Sequence, residues 1–309
     1  MKDCNSLIAE RMRTQVQRYF TAGPLARYAE HYMKDKLEET LRFGRLTVLH
    51  FRMFEGKDED PYMAAAAVEL FILASDMLDD LQDQDAPHKP WMQDPLPIAM
   101  HVATALLTLS QQVLLESASN VHTQAALMDM MNGQLLQSAN GQMLDIMNEM
   151  IDEQAYLEVV KLKSGALLQF ACMTGVLLAG QAWNPVVAEY ALEIGLAAQM
   201  QNDLRDLMRW DDKSDFLQRK RTLLTLYLVE GEAAEDQWIR DYFDGLLSTE
   251  DVALKRELFA EACERTGTLL YGSVMSRMHY NRFEELVDTF QAISPWKSTF
   301  LHMINEEIA

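Results

Sequence analysis

The chain is short of the residues that break helices. It has 13 Gly and 8 Pro in 309 residues, and few runs that alternate apolar with polar side chains. That argues against an architecture of many short strands and turns. The abundance of Ala, Leu, Met, Glu and Gln favours an all-α fold. Cysteine is also scarce: Cys4, Cys172 and Cys263 are scattered and form no CxxC pair. A disulfide framework or a zinc site is therefore not expected, and a reducing, cytoplasmic setting fits. No uncharged apolar run reaches the length of about 18 residues that suggests a membrane span, so the chain reads as not transmembrane. Met1–Ser6 lacks the apolar core of a secretory signal. Positive charge is outnumbered, with 27 Lys and Arg against 47 Asp and Glu and a net charge of −20. This argues against nucleic acid as a partner, which needs a basic face. No Ser/His/Asp or Cys/His arrangement suggests a covalent nucleophile.

What is present is a succession of helical segments. The pattern predicts helices over 5–20 and 25–43, and a further one after the break Gly56–Pro61. Others follow over 98–117, 122–150, 154–181, 185–210, 221–229, 233–246, 249–279 and 280–292. Pro87, Pro90, Pro95 and Pro97 mark a loop, since they cannot share one helix. No linker rich in Pro, Gly or Ser divides the chain, so a single helical domain over 1–309 is expected. The 20 Met residues suit an irregular core or an adaptable apolar pocket.

Asp76, Asp79, Asp80 and Asp83 stand at i, i+3, i+4 and i+7, on one face of a helix. Like charges so placed repel, and Asp is a poor helix former. Such a stripe is easiest to keep where cations neutralise it. Mg²⁺ suits these ligands, being held by one or two carboxylates together with substrate phosphates. A solvated acidic face is the bland alternative, but the preceding run Ala64–Ala74 is too apolar for an exposed helix. A second stripe, Gln199, Asn202, Asp203 and Asp206, repeats the spacing on another apolar helix. Two such helices facing each other would let carboxylates clamp bridging metals. Lys161 and Lys163 lie before an apolar, small-residue stretch. Lys220 precedes Thr222 at a helix start, where a phosphate is well received. Gly141, Gln142 and Asp145 set an amide and a carboxylate within an otherwise apolar helix.

The order of these fragments is more specific than any one of them. Asp-Asp-x-x-Asp, Gly-Gln-x-x-Asp, Lys-Ser, Gln-x-x-Asn-Asp-x-x-Asp and Lys-x-Thr succeed one another over about residues 40–230. The series resembles the trans-isoprenyl diphosphate synthase superfamily. The resemblance implies the isoprenoid synthase fold, an all-α bundle around a deep central cavity, in a homodimer. It implies that Asp79, Asp80 and Asp83, with Asp203 and Asp206, bind Mg²⁺, about three ions with the diphosphate. It further implies that Lys163 and Lys220 hold the diphosphate, with Gln142 and Gln199 lining its pocket. Ionising an allylic diphosphate suits these residues, because metal and lysines stabilise the departing pyrophosphate while the cavity excludes water.

The isopentenyl diphosphate side of that pattern is eroded. Its Gly-Gly-Lys-Arg-x-Arg-Pro segment is reduced to Phe43-Gly44-Arg45, its His position is Ile72, and its Arg-Arg-Gly reads His88-Lys89-Pro90. The stretch Ser75–Met92, with Asp76 and Trp91, is similar to the ComQ-type isoprenyl transferases, as are Lys161–Leu167 and Gly175–Gly180. These prenylate a tryptophan of a quorum-sensing pheromone precursor peptide. The resemblance implies transfer of a geranyl or farnesyl group to such a peptide. The second reading is a polyprenyl diphosphate synthase in which Arg45, His50 and Lys89 serve a divergent isopentenyl diphosphate site. A terpene cyclase fits less well, since Asp206 and Trp210 stand where its pattern wants Ser or Thr and Glu. A non-catalytic partner subunit would have lost the first carboxylates, which are complete here. Ala74 and Ser75, small residues before Asp79, suggest room for a farnesyl-length chain.

Overall fold

The computed structural model describes residues 2–84, 86–211, 213–231, 233–289 and 295–308. All regular structure among them is helical. The first seven α-helices are α1 (Lys2–Tyr19), α2 (Gly23–Glu38), α3 (Arg42–Met53), α4 (Pro61–Asp83), α5 (Pro90–Gln93), α6 (Leu96–Glu116) and α7 (Val121–Met147). Next come α8 (Glu153–Val160), a π-helical turn (Lys161–Gly165), α9 (Ala166–Leu178), α10 (Pro185–Leu207) and α11 (Leu223–Val229). A 3₁₀ turn (Ala234–Asp236) leads to α12 (Gln237–Phe243), α13 (Thr249–Ala253), α14 (Arg256–Thr266), α15 (Thr268–Thr289) and α16 (Trp296–Ile308).

Two long helices carry the acidic stripes. The Asp60 carboxylate caps α4 by accepting from the Tyr62 N–H, and Pro61 occupies the first turn, where its missing N–H costs nothing. Ala64–Ala74 is buried throughout, so α4 runs through the core against α1, α3, α6 and α9. Asn184 caps α10 in the same way, accepting from Val186 and Val187, with Pro185 behind it. Helix α10 packs along α15 and contributes to each of the three hydrophobic clusters. By length and hydropathy α4 and α6 are apolar enough to cross a membrane, contrary to expectation from the sequence. They lie instead against each other, and the core explains their apolar character.

The boundaries differ from the sequence expectation in instructive places. The segment 25–43 ends at Glu38, and a separate helix, α3, follows that the pattern did not suggest. Thr47 and His50 interrupt its apolar run, yet both are wholly buried. The Thr47 hydroxyl donates to the Ala171 carbonyl (2.9 Å), and His50 Nδ1 and Nε2 meet the Leu46 carbonyl (2.7 Å) and the Tyr190 hydroxyl (2.5 Å). Segment 154–181 is interrupted by the π turn. Segment 249–279 is divided by Gly267, whose φ of 72° caps α14, and α15 then runs on through 280. The expected end near 292 lies outside the described residues.

Candidate active site

The stripe on α4 does not act as one surface. Asp79 Oδ1 lies 2.9 Å from Lys163 Nζ, which also reaches Asp145 Oδ2 of α7 at 2.7 Å. Asp83 lies in the same field, raised above the usual carboxylate range by burial and by Asp79, with Lys163 and Lys220 opposing. Asp80 faces elsewhere: its Oδ2 accepts from the indole Nε1 of Trp91 (2.8 Å), a side chain only 1% exposed. Asp76 is paired with Lys36 of α2 at 3.2 Å.

Lys163 is placed by local geometry. It sits in the π turn, and such turns widen a helix and re-aim its side chains. Gly141 of α7 packs directly on that backbone, where a Cβ would stand 2.6 Å from the Lys163 nitrogen. Only glycine admits so close an approach, which accounts for Gly141 beside Gln142. Burial alone would lower the Lys163 pKa, but Asp79 and Asp145 outweigh it and raise it.

On α10, Asp203 is 2% exposed and accepts from the Tyr156 hydroxyl and from Gln199 Nε2 (2.9 Å), whose Oε1 accepts from Ser164 (3.2 Å). Burial holds Asp203 up at about 6. Asp206 lines the same cavity. Asn202 is exposed and accepts from Arg205, turned away from that cavity. Lys220 arrives on a loop that Asn148 clamps on both sides, donating to the Arg219 carbonyl (2.9 Å) and accepting from the Arg221 N–H (2.7 Å). Arg219 takes a φ of 52°, a conformation costly for a non-glycine residue. Thr222 caps α11, a helix of 7 residues, so its hydroxyl is engaged in the cap.

Two cavities meet at Lys163. The polar one lies between Asp145, Tyr156, Gln199, Asp203, Asp206, Asp215 and Lys220. The other is larger and largely apolar, and runs between α4, α6 and α7 past Asp76, Asp79, Leu107, Leu135 and Gln142. Gln142 donates to Gln82 (3.1 Å) in its wall. Such a pair suits a molecule with an anionic head and a hydrocarbon tail.

The donor set fits Mg²⁺. Around Lys163, Lys220 and Arg221 stand Asp79, Asp83, Asp145, Asp203, Asp206 and Asp215, more carboxyls than the three cations balance. Burial, then Asp203, raises Asp215 to about 8. Burial is the leading cause of the raised Asp83, Asp203 and Asp215 values, and neighbouring carboxylates add to it. Among the described residues no three carboxylates form a ready-made metal cage. Carboxylate oxygens are the ligand type that Mg²⁺ takes, alongside phosphate oxygens and water.

Other expected residues stand apart. Lys89 Nζ contacts Asp35 (2.8 Å) and Glu39 (3.0 Å) and lies 5.2 Å from the Trp91 ring centre. Arg45 lines a separate cleft with Cys4, Arg52, Tyr62 and Trp296, so it does not join the cluster. His50 is fully buried, and burial lowers it to about 4, which leaves it neutral. Sequence reasoning missed Tyr156, Asp215 and Asn148. Asp215 lies five residues before Lys220, a spacing open to notice, whereas Asn148 and Tyr156 act through tertiary contacts that no local pattern reveals.

Known proteins resemble this chain in sequence and in fold. Residues 40–262 match the polyprenyl synthetase family model. The tryptophan prenyltransferase ComQ of Bacillus subtilis (strain 168) is 31% identical over 249 residues, 78% of this chain and 80% of that protein. A short chain isoprenyl diphosphate synthase of Methanothermobacter thermautotrophicus is 25% identical over 264 residues, 80% of this chain and 79% of that one. The geranylgeranyl pyrophosphate synthase of Corynebacterium glutamicum, solved with isoprenyl diphosphate and magnesium, superposes with a TM-score of 0.81 at 17% identity. That superposition covers 99% of this chain and 98% of the other. With the isoprenoid synthase fold, a cleft of lysines and carboxylates opening on an apolar pocket, and a family model spanning most of its length, the chain belongs to the polyprenyl synthetase family of prenyltransferases.

Proposed function

We propose that this protein is a Mg²⁺-dependent isoprenyl transferase. It ionises a geranyl or farnesyl diphosphate and passes the prenyl group to a tryptophan of a precursor peptide. On this reading Asp79 and Asp83 of α4 and Asp203 and Asp206 of α10 hold the metal, with Asp80 behind them. Lys163 and Lys220 bind the diphosphate, and Gln142 and Gln199 line its surroundings. Bound Mg²⁺ would neutralise charge on the leaving pyrophosphate. Lys163, fixed between Asp79 and Asp145, would add a preorganised positive charge at the junction of the cavities, while the apolar walls keep water from the allylic cation. The similarity to ComQ over most of the chain supports tryptophan as the acceptor.

One observation carries the choice of acceptor. The lysine at the Arg-Arg-Gly position, Lys89, is engaged by Asp35 and Glu39, while Arg45 and His50 lie away from the cleft. A second diphosphate would find no available cluster of these cations. We further propose that residues 1–309 act as one domain and that two copies associate through the exposed apolar side chains Leu136 and Met147 of α7. The test is competition. The protein is incubated with Mg²⁺, farnesyl diphosphate, labelled isopentenyl diphosphate and a peptide with one Trp. Prenylated peptide is expected. Efficient elongation of farnesyl diphosphate with no prenylated peptide would overturn the proposal in favour of a polyprenyl diphosphate synthase.

A further inference from the structure

Asp76 has no part in the chemistry described so far. It stands one turn before Asp79 and lines the apolar cavity beside Ser75, Leu107 and Leu135. A carboxylate in such a wall is unfavourable unless something compensates its charge. Here Lys36 Nζ lies 3.2 Å away, and the two partners are exposed very differently: 9% of the Lys36 side chain against 46% of Asp76. The cation is sunk in the wall and the carboxylate is presented to the cavity. Lys36 is also held by Glu39 at 3.3 Å, so it is anchored independently of anything bound in the cavity. The result is an anionic hydrogen-bond acceptor in a pocket otherwise suited to hydrocarbon, three residues, a rise of about 4.5 Å, before the Asp79 that contacts Lys163.

We infer that Asp76 is a specificity-determining residue that accepts a hydrogen bond from the ring N–H of an indole acceptor. The inference rests on the peptide-tryptophan reading above. In the reaction the C1–O bond of the prenyl diphosphate breaks and its electron pair leaves on pyrophosphate. A π pair of the indole ring forms the new C–C bond to C1, and the ring nitrogen takes on positive charge. Neutrality is restored when the ring loses a proton: the C–H proton, to pyrophosphate, where the attacked carbon bears hydrogen, or the N–H proton, to the Asp76 carboxylate, where it bears none. The N–H is more acidic in the charged ring, so a carboxylate bonded to it stabilises the transition state more than the ground state. An alkene acceptor such as isopentenyl diphosphate has no N–H to offer and would leave Asp76 facing hydrocarbon.

The test compares two peptides that the wild type is offered with farnesyl diphosphate and Mg²⁺. One carries Trp, and in the other β-(3-benzothienyl)alanine replaces it, so that sulfur stands in place of N–H at nearly the same size. Wild type should prefer Trp strongly. Asp76→Asn and Asp76→Leu should lose about 10-fold or more of that preference in kcat/KM, the scale of a hydrogen bond to a charged group. Both variants should bind the unreactive thiolo analogue of farnesyl diphosphate as tightly as wild type. An unchanged preference in Asp76→Asn and Asp76→Leu overturns the inference and leaves the peptide reading standing. A wild type that prenylates neither peptide removes both.

Discussion

The two sides of the cleft use the same side chains to opposite ends. On the α7–α10 side, Lys163 and Lys220 border a polar cavity together with Asp145, Asp203, Asp206 and Asp215. Their charges face space in which a ligand can sit. On the α2–α5 side, Lys89 is closed into ion pairs with Asp35 and Glu39, and Trp91 fixes Asp80. There the charges join one helix to the next. What separates a binding site from a structural brace is whether the charged atoms border a cavity. The difference is functional if the first side binds the donor diphosphate and the second has ceased to bind another.

The sharpest way to break this contrast is to remove charges from the cavity side one at a time. Asp79→Asn should lower kcat/KM for prenyl transfer by about 10³-fold, since it removes a metal contact and loosens Lys163. Lys163→Met should cost about 10²-fold, the usual effect of deleting one preorganised donor. Melting curves would confirm that both variants stay folded. Retained activity in Asp79→Asn would remove Asp79 from the metal site.

A second test reads the excess of acid directly. Burial holds Asp203 at about 6, Asp215 at about 8 and Glu69 at about 7, all above ordinary carboxyl values. Between about pH 4 and 8 the folded protein therefore binds more protons than the unfolded chain, and its stability should fall as pH rises through that window. Mg²⁺ with pyrophosphate should restore more stability at pH 8 than at pH 5, because the carboxylates must lose their protons before they can act as ligands. Thermal melts at the two pH values, with and without the ions, check both signs. A metal-free protein more stable at pH 8 would show that the carboxyls lie in a more neutralised setting than their burial indicates.

How much of this the sequence revealed follows from the range of the forces involved. The helical class and the two acidic stripes were legible, because helical periodicity brings i, i+3 and i+4 residues together whatever the tertiary fold. The division within the first stripe was not. That Asp79 and Asp83 face the lysines while Asp80 meets Trp91 and Asp76 meets Lys36 depends on where α2, α5 and the π turn lie. Helix α3 was missed because its buried Thr47 and His50 imitate a polar face. Arg45 was expected at the site from its order in the chain, but on α3 it points to another cleft. Asn148 gave no local sign at all, since its role lies in a contact with Arg219 and Arg221. Asn148→Ala should free that loop and reduce kcat/KM by about 10-fold, mainly through KM for the prenyl diphosphate, as expected for a residue that positions Lys220.

The smallest expected effect bears most directly on the contrast between the two sides. Lys89→Met should change binding of the prenyl diphosphate analogue by less than about 3-fold, because Lys89 is held by Asp35 and Glu39 instead of bordering the donor cavity. It should cost some stability, on the order of 1 kcal/mol, since these partly exposed ion pairs are weak and their carboxylates can turn to water. Calorimetric titration of the analogue into wild type and variant, beside a melting curve for each, separates the two effects. Equal affinity with a lower melting temperature is the mark of a brace. A loss of affinity comparable to that of Lys163→Met would mean that Lys89 leaves its carboxylates when ligand arrives. Both sides of the cleft would then bind phosphate, and chain elongation would return as the better account of the enzyme.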